Sequence, residues 1–404
     1  MATVIRKVAL LIETSNAYAR GLLAGIVHYT RVHRPWSIHL AEGTRGGQPP
    51  AWLGRWDGDG VIARIENEAI ARAIRRLRLP VVDVSAARRI PALPWVETDD
   101  EAIAREGFEH LRARGFKHLA YCADDRFNWS RWRREAFERL AREAGIPCAA
   151  YRPRGAAASD SEAEVDRIAA WVAALPKPVG VMACYDFRGR QVLDACRRRR
   201  IPVPDDVAVL GVDNDELLCD LADPPLSSVI LNPRRTGYEA AALLDRMMAG
   251  HRVGPEARRI APLGTATRQS TDVLAVEDRD IAAVVRWIRE HACEGISVKD
   301  VIRANPQSRR RLEQRFRAVI GRTPHEEILR VRLDRVKLLL AETALPLERI
   351  AERTGFLHVE YLSVVFRRKV GMPPSRYRAL NRRRRTAAPA GPVDAPAPFS
   401  SATR

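Results

Sequence analysis

Paired cysteines are missing. Cys122, Cys148, Cys184, Cys196, Cys219 and Cys293 stand singly, with no C-x-x-C among the six. This excludes the usual spacing of a zinc site or a dithiol redox centre and fits small core residues in a reducing compartment. Long apolar runs are also missing. The first, "VALLIE", stops at Glu13 and reads as a strand, so neither a signal peptide nor a membrane span is expected, and the cytoplasm is. The sequence has no G-x-S-x-G, no phosphate-binding P-loop and no metal-ligand cluster, so no cofactor and no enzyme activity are expected. Acidic charge is in short supply: 50 Asp and Glu face 68 Lys and Arg, a formal charge of +18. An anionic partner, nucleic acid or a membrane surface, is favoured over a merely basic enzyme. A chain of 404 residues is too long for one ordinary core, so two or three domains are expected.

From Lys7 to about Gln269, β-rich runs alternate with amphipathic ones. "VALLIE", "WSIHLAE", "DGVIARI", "LPVVDVS", "HLAYCAD", "PCAAYRP", "PVGVMACYD" and "DVAVLGVDND" read as strands. Stretches such as "NAYARGLLAGIVHYTRVH", "AIAREGFEHLRARG" and "RGRQVLDACRRR" read as the helices between them. Such alternation predicts parallel sheets covered by helices, with more than one sheet; a closed barrel is the structural rival. In "VETDDEAIAREG" a strand ends at Val96–Thr98 and Asp99 or Asp100 caps the next helix. Further on, "PPLSSVILNPRRTGYEAAALLDRMMAG" gives a short strand, a loop and a helix, and "ARRIAPLGTATRQSTD" a last extended segment.

After the polar stretch "TDVLAVEDRD" the β-rich runs vanish and residues 281–385 read as helical. The tail, 386–404, is basic and then rich in Ala, Pro and Ser, which predicts disorder. Within the helical region, two short helices span about 296–317, with Ser297 and Ser308 as N-caps. The second of them packs Leu312, Phe316 and Ile320 inward and shows Arg309, Arg310, Arg311, Gln314 and Arg315. A second pair spans about 344–367, turning at Gly355. Its last helix places Tyr361, Leu362, Val365 and Phe366 in the core, with His358, Glu360, Ser363 and Arg367 outward. "LEQRFRAVIGRTPHEEI" mirrors "LSVVFRRKVGMPPSRYR" in its Leu-x3-Phe, its Gly and its Pro. A repeated helix-turn-helix is hard to obtain from a solvated charge run.

The segments from Arg6 to Asp272, in their order, resemble the type I periplasmic-binding-protein fold as used in LacI-like regulators. The resemblance implies two α/β lobes with a small ligand in the cleft, forming a sensor over 1–272 that is followed by a linker at 273–280. That family carries its helix-turn-helix ahead of the sensor, whereas here the sheet is expected to begin at Lys7. "RLDRVKLLLAETALPLERIAERTGFLHVEYLSVVFRRKVGMPPSRYR" resembles the AraC-type DNA-binding domain. That likeness implies two readers joined by a long helix, entering successive major grooves of double-stranded DNA. A LacI-like sensor ahead of an AraC-type domain resembles the xylose operon regulators, which activate pentose catabolism genes on binding sugar. The combination implies a homodimer on repeated half-sites and allows contact with RNA polymerase.

Carried onto this chain, the base-reading positions fall at Arg310, Glu313 and Gln314, and at Val359, Glu360, Ser363 and Val364. Arginines suit phosphates and guanine edges, and Arg376 and Arg378 are placed for phosphates. Val359 and Val364 cannot hydrogen-bond a base, which leaves thymine methyls or DNA shape for the second unit. In the sensor, a sugar needs paired acceptors and donors and an aromatic face, at the carboxyl ends of strands. The candidates are Glu13, Tyr18, Arg64, Asp125, Trp129, Asp186 and Asp213, with Asp186 and Asp213 foremost. The rivals are an enzyme, for which no motif speaks, a DNA-binding regulator whose sensor takes a non-sugar ligand, and an architectural DNA-binding protein with no ligand.

Overall fold

The computed structural model describes residues 5–41, 47–153, 162–255, 257–272, 278–305, 308–343 and 345–379. The expected tail lies outside them, as does most of the expected linker. The chain divides into two compact units, Met1–Ala275 and Val276–Arg404.

Among the described residues the first unit holds twelve strands: Arg6–Leu11 (β1), Trp36–Leu40 (β2), Gly60–Ala63 (β3), Val81–Asp83 (β4), Trp95–Thr98 (β5), Leu119–Cys122 (β6), Cys148–Tyr151 (β7), Val179–Ala183 (β8), Val207–Val212 (β9), Ser227–Val229 (β10), Ala257–Ile260 (β11) and Thr265–Ala266 (β12). They form two six-stranded sheets, ordered β11-β5-β4-β3-β1-β2 and β12-β10-β9-β8-β6-β7. This is the two-lobed arrangement and not the barrel. All pairings are parallel except β10 with β12. The chain crosses between lobes after β5, β10 and β11, so each lobe is built from separated segments.

Both faces of the inner strands are covered, which is why β1, β3, β6, β8 and β9 read as continuous apolar runs, whereas the edge strand β2 is largely exposed. In β1, Val8 and Leu10 face one core, with Leu22, Ile26 and Leu244, while Ala9 and Leu11 face another, with Leu53, Ile70 and Ile74. In the second lobe, β6 divides in the same way, Tyr121 to one side and Cys122 to the other. Local capping follows the sequence. Asp99 accepts from the Ala102 N–H at 3.1 Å, and Asn232 accepts from Arg235 at the same distance with Pro233 next in line.

The second unit is helical: Arg279–His291, Val298–Ala304, Arg309–Ile320, Pro324–Glu342, Leu347–Arg353 and Val359–Val370. Its first helix begins two residues earlier than the sequence reading, where Asp278 caps it. Two cores share the helix Pro324–Glu342. Ile328 joins the first, with Leu312, Phe316 and Ile320; Leu333, Val336 and Leu340 join the second, with Ile350, Leu362 and Phe366. Leu312, Phe316 and Gly321 recur fifty positions on as Leu362, Phe366 and Gly371. Both glycines adopt positive φ, 76° and 81°, and donate to a carbonyl four residues back at 2.9 Å, ending their helices alike.

Candidate functional site

In the sensor, the carboxyl ends of both sheets line a cleft of about 680 Å³. One lobe supplies Asn16, Tyr18, Arg64, Glu97 and Thr98, and the other Arg126, Phe127, Trp129, Arg133, Tyr185, Asp213 and Asp215 among others. The first lobe's side is an ion-paired cluster. Arg64 donates to Glu13 and, at 2.8 Å, to Glu66, and sits 5.6 Å from the centre of the Tyr18 ring. The Tyr18 hydroxyl donates to Glu97. Burial alone would lower the pKa of the arginine, but Glu66, Glu13 and Glu97 outweigh it and raise it. Burial pushes Glu97 up to about 7, against the pull of Arg64, and pushes the Tyr18 phenol well above its usual value.

The second lobe offers an aromatic wall and a second buried arginine. Phe127 and Trp129 stack at 5.0 Å with their planes 12° apart, and Tyr185 meets Trp129 edge-on at 5.5 Å. Arg133 lies 4.9 Å from the Trp129 ring centre and pairs with Asp100 at 2.6 Å. Such a floor, stacking surface beside fixed donors and acceptors, suits a small polyhydroxylated ring.

The predicted ligand residues divide. Tyr18, Arg64, Trp129, Asp186 and Asp213 line the cleft. Glu13 stands behind it, holding Arg64 and accepting from Asn16 at 2.9 Å. Asp125 points instead into a neighbouring depression with Glu66, Arg89 and Arg131, because Arg134 holds it from its own helix at 3.4 Å. Asp186 is only 1% exposed, and both its oxygens are occupied, by the Ser228 hydroxyl at 2.5 Å and the Asp215 N–H at 2.8 Å. It shapes the turn that carries Asp213, whose φ of 111° is a rare conformation for a side-chain-bearing residue. Burial, then the charge of Asp213, raises the Asp186 carboxyl well above the usual range. The sequence reading passed over Glu97, Arg126 and Arg133. Glu97 carried a signal, an acid inside the apolar strand "WVET"; Arg133 resembled an ordinary helix-surface arginine, and Arg126 an ordinary loop one.

In the helical unit, Ser308, Arg309, Arg310, Arg311 and Gln314 are exposed on one helix and His358, Glu360, Val364 and Arg367 on its repeat, as is Arg376 beyond it. Arg309, Arg310, Glu313, Gln314 and Arg317 line a shallow groove, in which Arg309 donates to Glu313 at 2.9 Å. Arg315 turns away: it donates to both Asp278 oxygens at 2.8 Å and to Asp280 at 3.1 Å. Val359 and Ser363 are half-buried, Val359 against the second core. Arg378 donates to the Leu345 carbonyl at 2.5 Å. Tyr361, expected in the core, is 46% exposed, so the outward face is wider than the sequence reading drew it. Gly355 makes its turn at φ 71°, where a side chain would strike the Gly295 backbone.

A two-lobed sensor with a polar, aromatic-walled cleft, joined to a duplicated helix-turn-helix, defines a ligand-responsive DNA-binding transcription regulator. Family models agree: an XylR N-terminal domain matches residues 7–101, a periplasmic binding protein-like domain 108–271 and a helix-turn-helix domain 303–380. The chain is 31% identical over 389 residues to the xylose operon regulatory protein of Escherichia coli (strain K12), covering 94% of this chain and 99% of that one. It is 29% identical over 380 residues to the protein of the same name in Haemophilus influenzae, covering 92% and 98%. A solved structure of a xylose-binding transcription activator superposes with a TM-score of 0.78 at 30% identity, covering 94% of this chain and all of the other. The chain belongs to the family of xylose operon regulatory proteins. Among the described residues, no helix is long and apolar enough to cross a membrane.

Proposed function

We propose that this chain is a sequence-specific activator of carbohydrate catabolism genes, working in the cytoplasm as a homodimer and controlled by xylose or a related pentose in the sensor cleft. The observation that carries the reading is the pairing of two buried arginines, Arg64 and Arg133, with an aromatic wall across one cleft. Arginine and carboxylate groups fix ring hydroxyls by paired hydrogen bonds, while the wall of Phe127, Trp129 and Tyr185 offers apolar surface to the ring's C–H side. A sugar gripped from both lobes favours the closed form, and it shifts the equilibrium only by its preference for that form. Closure in paired sensors then changes how the two DNA-binding units are presented to half-sites and to RNA polymerase. In the readers, Arg310, Glu313 and Gln314 address base edges in the first half of each site, and Glu360 and Val364 in the second.

The test is a thermal-shift screen of D-xylose, L-arabinose, D-ribose and hexoses, followed by DNA binding with and without each hit. Stabilisation by a pentose, with a changed affinity for promoter DNA, is expected. No stabilisation by any sugar would sink the pentose reading, and DNA affinity indifferent to salt would sink the phosphate contacts.

A further inference from the structure

The second reading helix and the turn before it carry an apolar patch on their outward side. Leu357 is 87% exposed, Tyr361 46% and Val364 62%, and only Leu338 joins them as an exposed large hydrophobic among the described residues of the helical unit. Fifty positions earlier, the places of Tyr361 and Val364 are held by Arg311 and Gln314. The inward Leu and Phe are kept across the repeat; the exchange of polar for apolar also reaches inward, where Val359 and Val365 take the places of Arg309 and Arg315, but Tyr361 and Val364 face solvent. A helix that merely met water would gain nothing by that exchange. The patch is framed by charge: Glu360 stands within it, and Arg367, Arg368, Lys369 and Arg376 are exposed beyond its end. An apolar floor rimmed with cations complements a groove walled by phosphates, and the apolar feature that base edges show in the major groove is the thymine methyl.

We propose that the second unit selects its half-site by thymine methyl groups packed against Val364 and Leu357, with Tyr361 beside them, while the first unit reads polar edges through Arg310 and Gln314. This rests on the DNA-binding reading above and makes each site chemically lopsided, one half polar in its contacts and the other rich in thymine.

The full chain is mixed with a randomised duplex library and the bound sequences enriched. Each thymine of the enriched site is then replaced singly by deoxyuridine, which removes the methyl and nothing else. Binding is expected to weaken about fourfold at each contacted methyl, the value of one buried carbon. Val364→Ala, at an exposed position with little role in folding, should reduce that difference at one position, while Gln314→Ala leaves every uracil response intact. An enriched site at which all uracil substitutions are neutral would overturn the methyl contacts while leaving DNA binding standing. No enriched sequence at all would overturn both. Uracil responses unchanged in Val364→Ala and Leu357→Ala would overturn the assignment to this face; so would loss of self-association in Val364→Asp with those responses intact, which would mark the patch as a seat for a second copy.

Discussion

Arg133 donates through Nε to Asp100 at 2.6 Å and through Nη1 to the Cys184 carbonyl at 2.9 Å. Asp100 opens the helix after the first crossover between lobes, and Arg133 borders the cleft, so one buried pair joins that crossover to the cleft. Arg133→Met is expected to strand the Asp100 charge and cost the sensor about 3–5 kcal/mol in denaturant unfolding. Adding Asp100→Asn should recover much of that stability but not the sugar-induced thermal shift, since the cleft still lacks its guanidinium. If the two costs simply added, the pair would not be coupled.

The sensor without ligand should be less stable at mildly alkaline pH. Burial pushes Glu97 up to about 7 and Asp83 likewise, and Asp100 to about 6. A carboxyl whose folded pKa lies above its unfolded value, about 4, binds its proton more tightly in the folded chain. Its contribution is complete below the unfolded pKa and is lost as pH rises through the folded one. The sensor's melting temperature is therefore expected to fall between about pH 4 and 7, about 1 kcal/mol or more being at stake per group. Glu97→Gln should flatten part of that slope, and an unchanged slope would remove Glu97 from the cause.

Much of this was legible in the sequence, for physical reasons. A strand covered on both faces is apolar throughout, so "VALLIE" and "VAVLGV" announced themselves, and the Leu, Phe and Gly of the two readers repeat because both helices are packed and ended alike. The order of the pieces carried the family likeness. What stayed hidden was side-chain direction. Asp124 and Asp125 are neighbours in sequence, yet Asp124 is fully buried and Asp125 faces another depression. Arg133 and Arg139 lie on one helix, yet Arg133 is buried at the cleft and Arg139 pairs with Glu101 and Glu143 outside it. Spacing along a helix does not tell which arginine a neighbouring lobe will cover.

The helices Ala17–Val32 and Pro233–Met248 meet backbone to backbone. A Cβ at Gly25 would fall on the Arg234 carbonyl, and one at Gly237 on the Leu22 carbonyl. Neither obstacle is the end of a flexible side chain, so the helices themselves must part. Gly237→Ala is expected to cost about 1–3 kcal/mol. Gly54→Ala, where nothing lies within 4 Å of the new carbon, serves as the neutral control. Equal stability of the two variants would refute the close packing.

Glu327 is fully buried at the junction of three elements of the DNA-binding unit. Arg330 donates to it at 2.8 Å from its own helix, Arg322 at 2.5 Å from the preceding turn, and Arg289 approaches to 3.8 Å from the first helix. Burial alone would raise its pKa, but Arg330 and Arg322 outweigh it and hold the carboxyl at about 2. The sign is therefore opposite to that of Glu97. The contribution is present above the unfolded pKa and is lost as pH falls through about 2, and it amounts to about 3 kcal/mol at neutral pH. Glu327→Gln keeps the shape but leaves the arginines without their counter-charge. Helical signal and DNA affinity in that variant should be lost at lower denaturant than in the parent at pH 7, and the gap should narrow as both are taken towards pH 3. A gap that stayed constant with pH would mean that the carboxylate's shape, and not its charge, holds the junction.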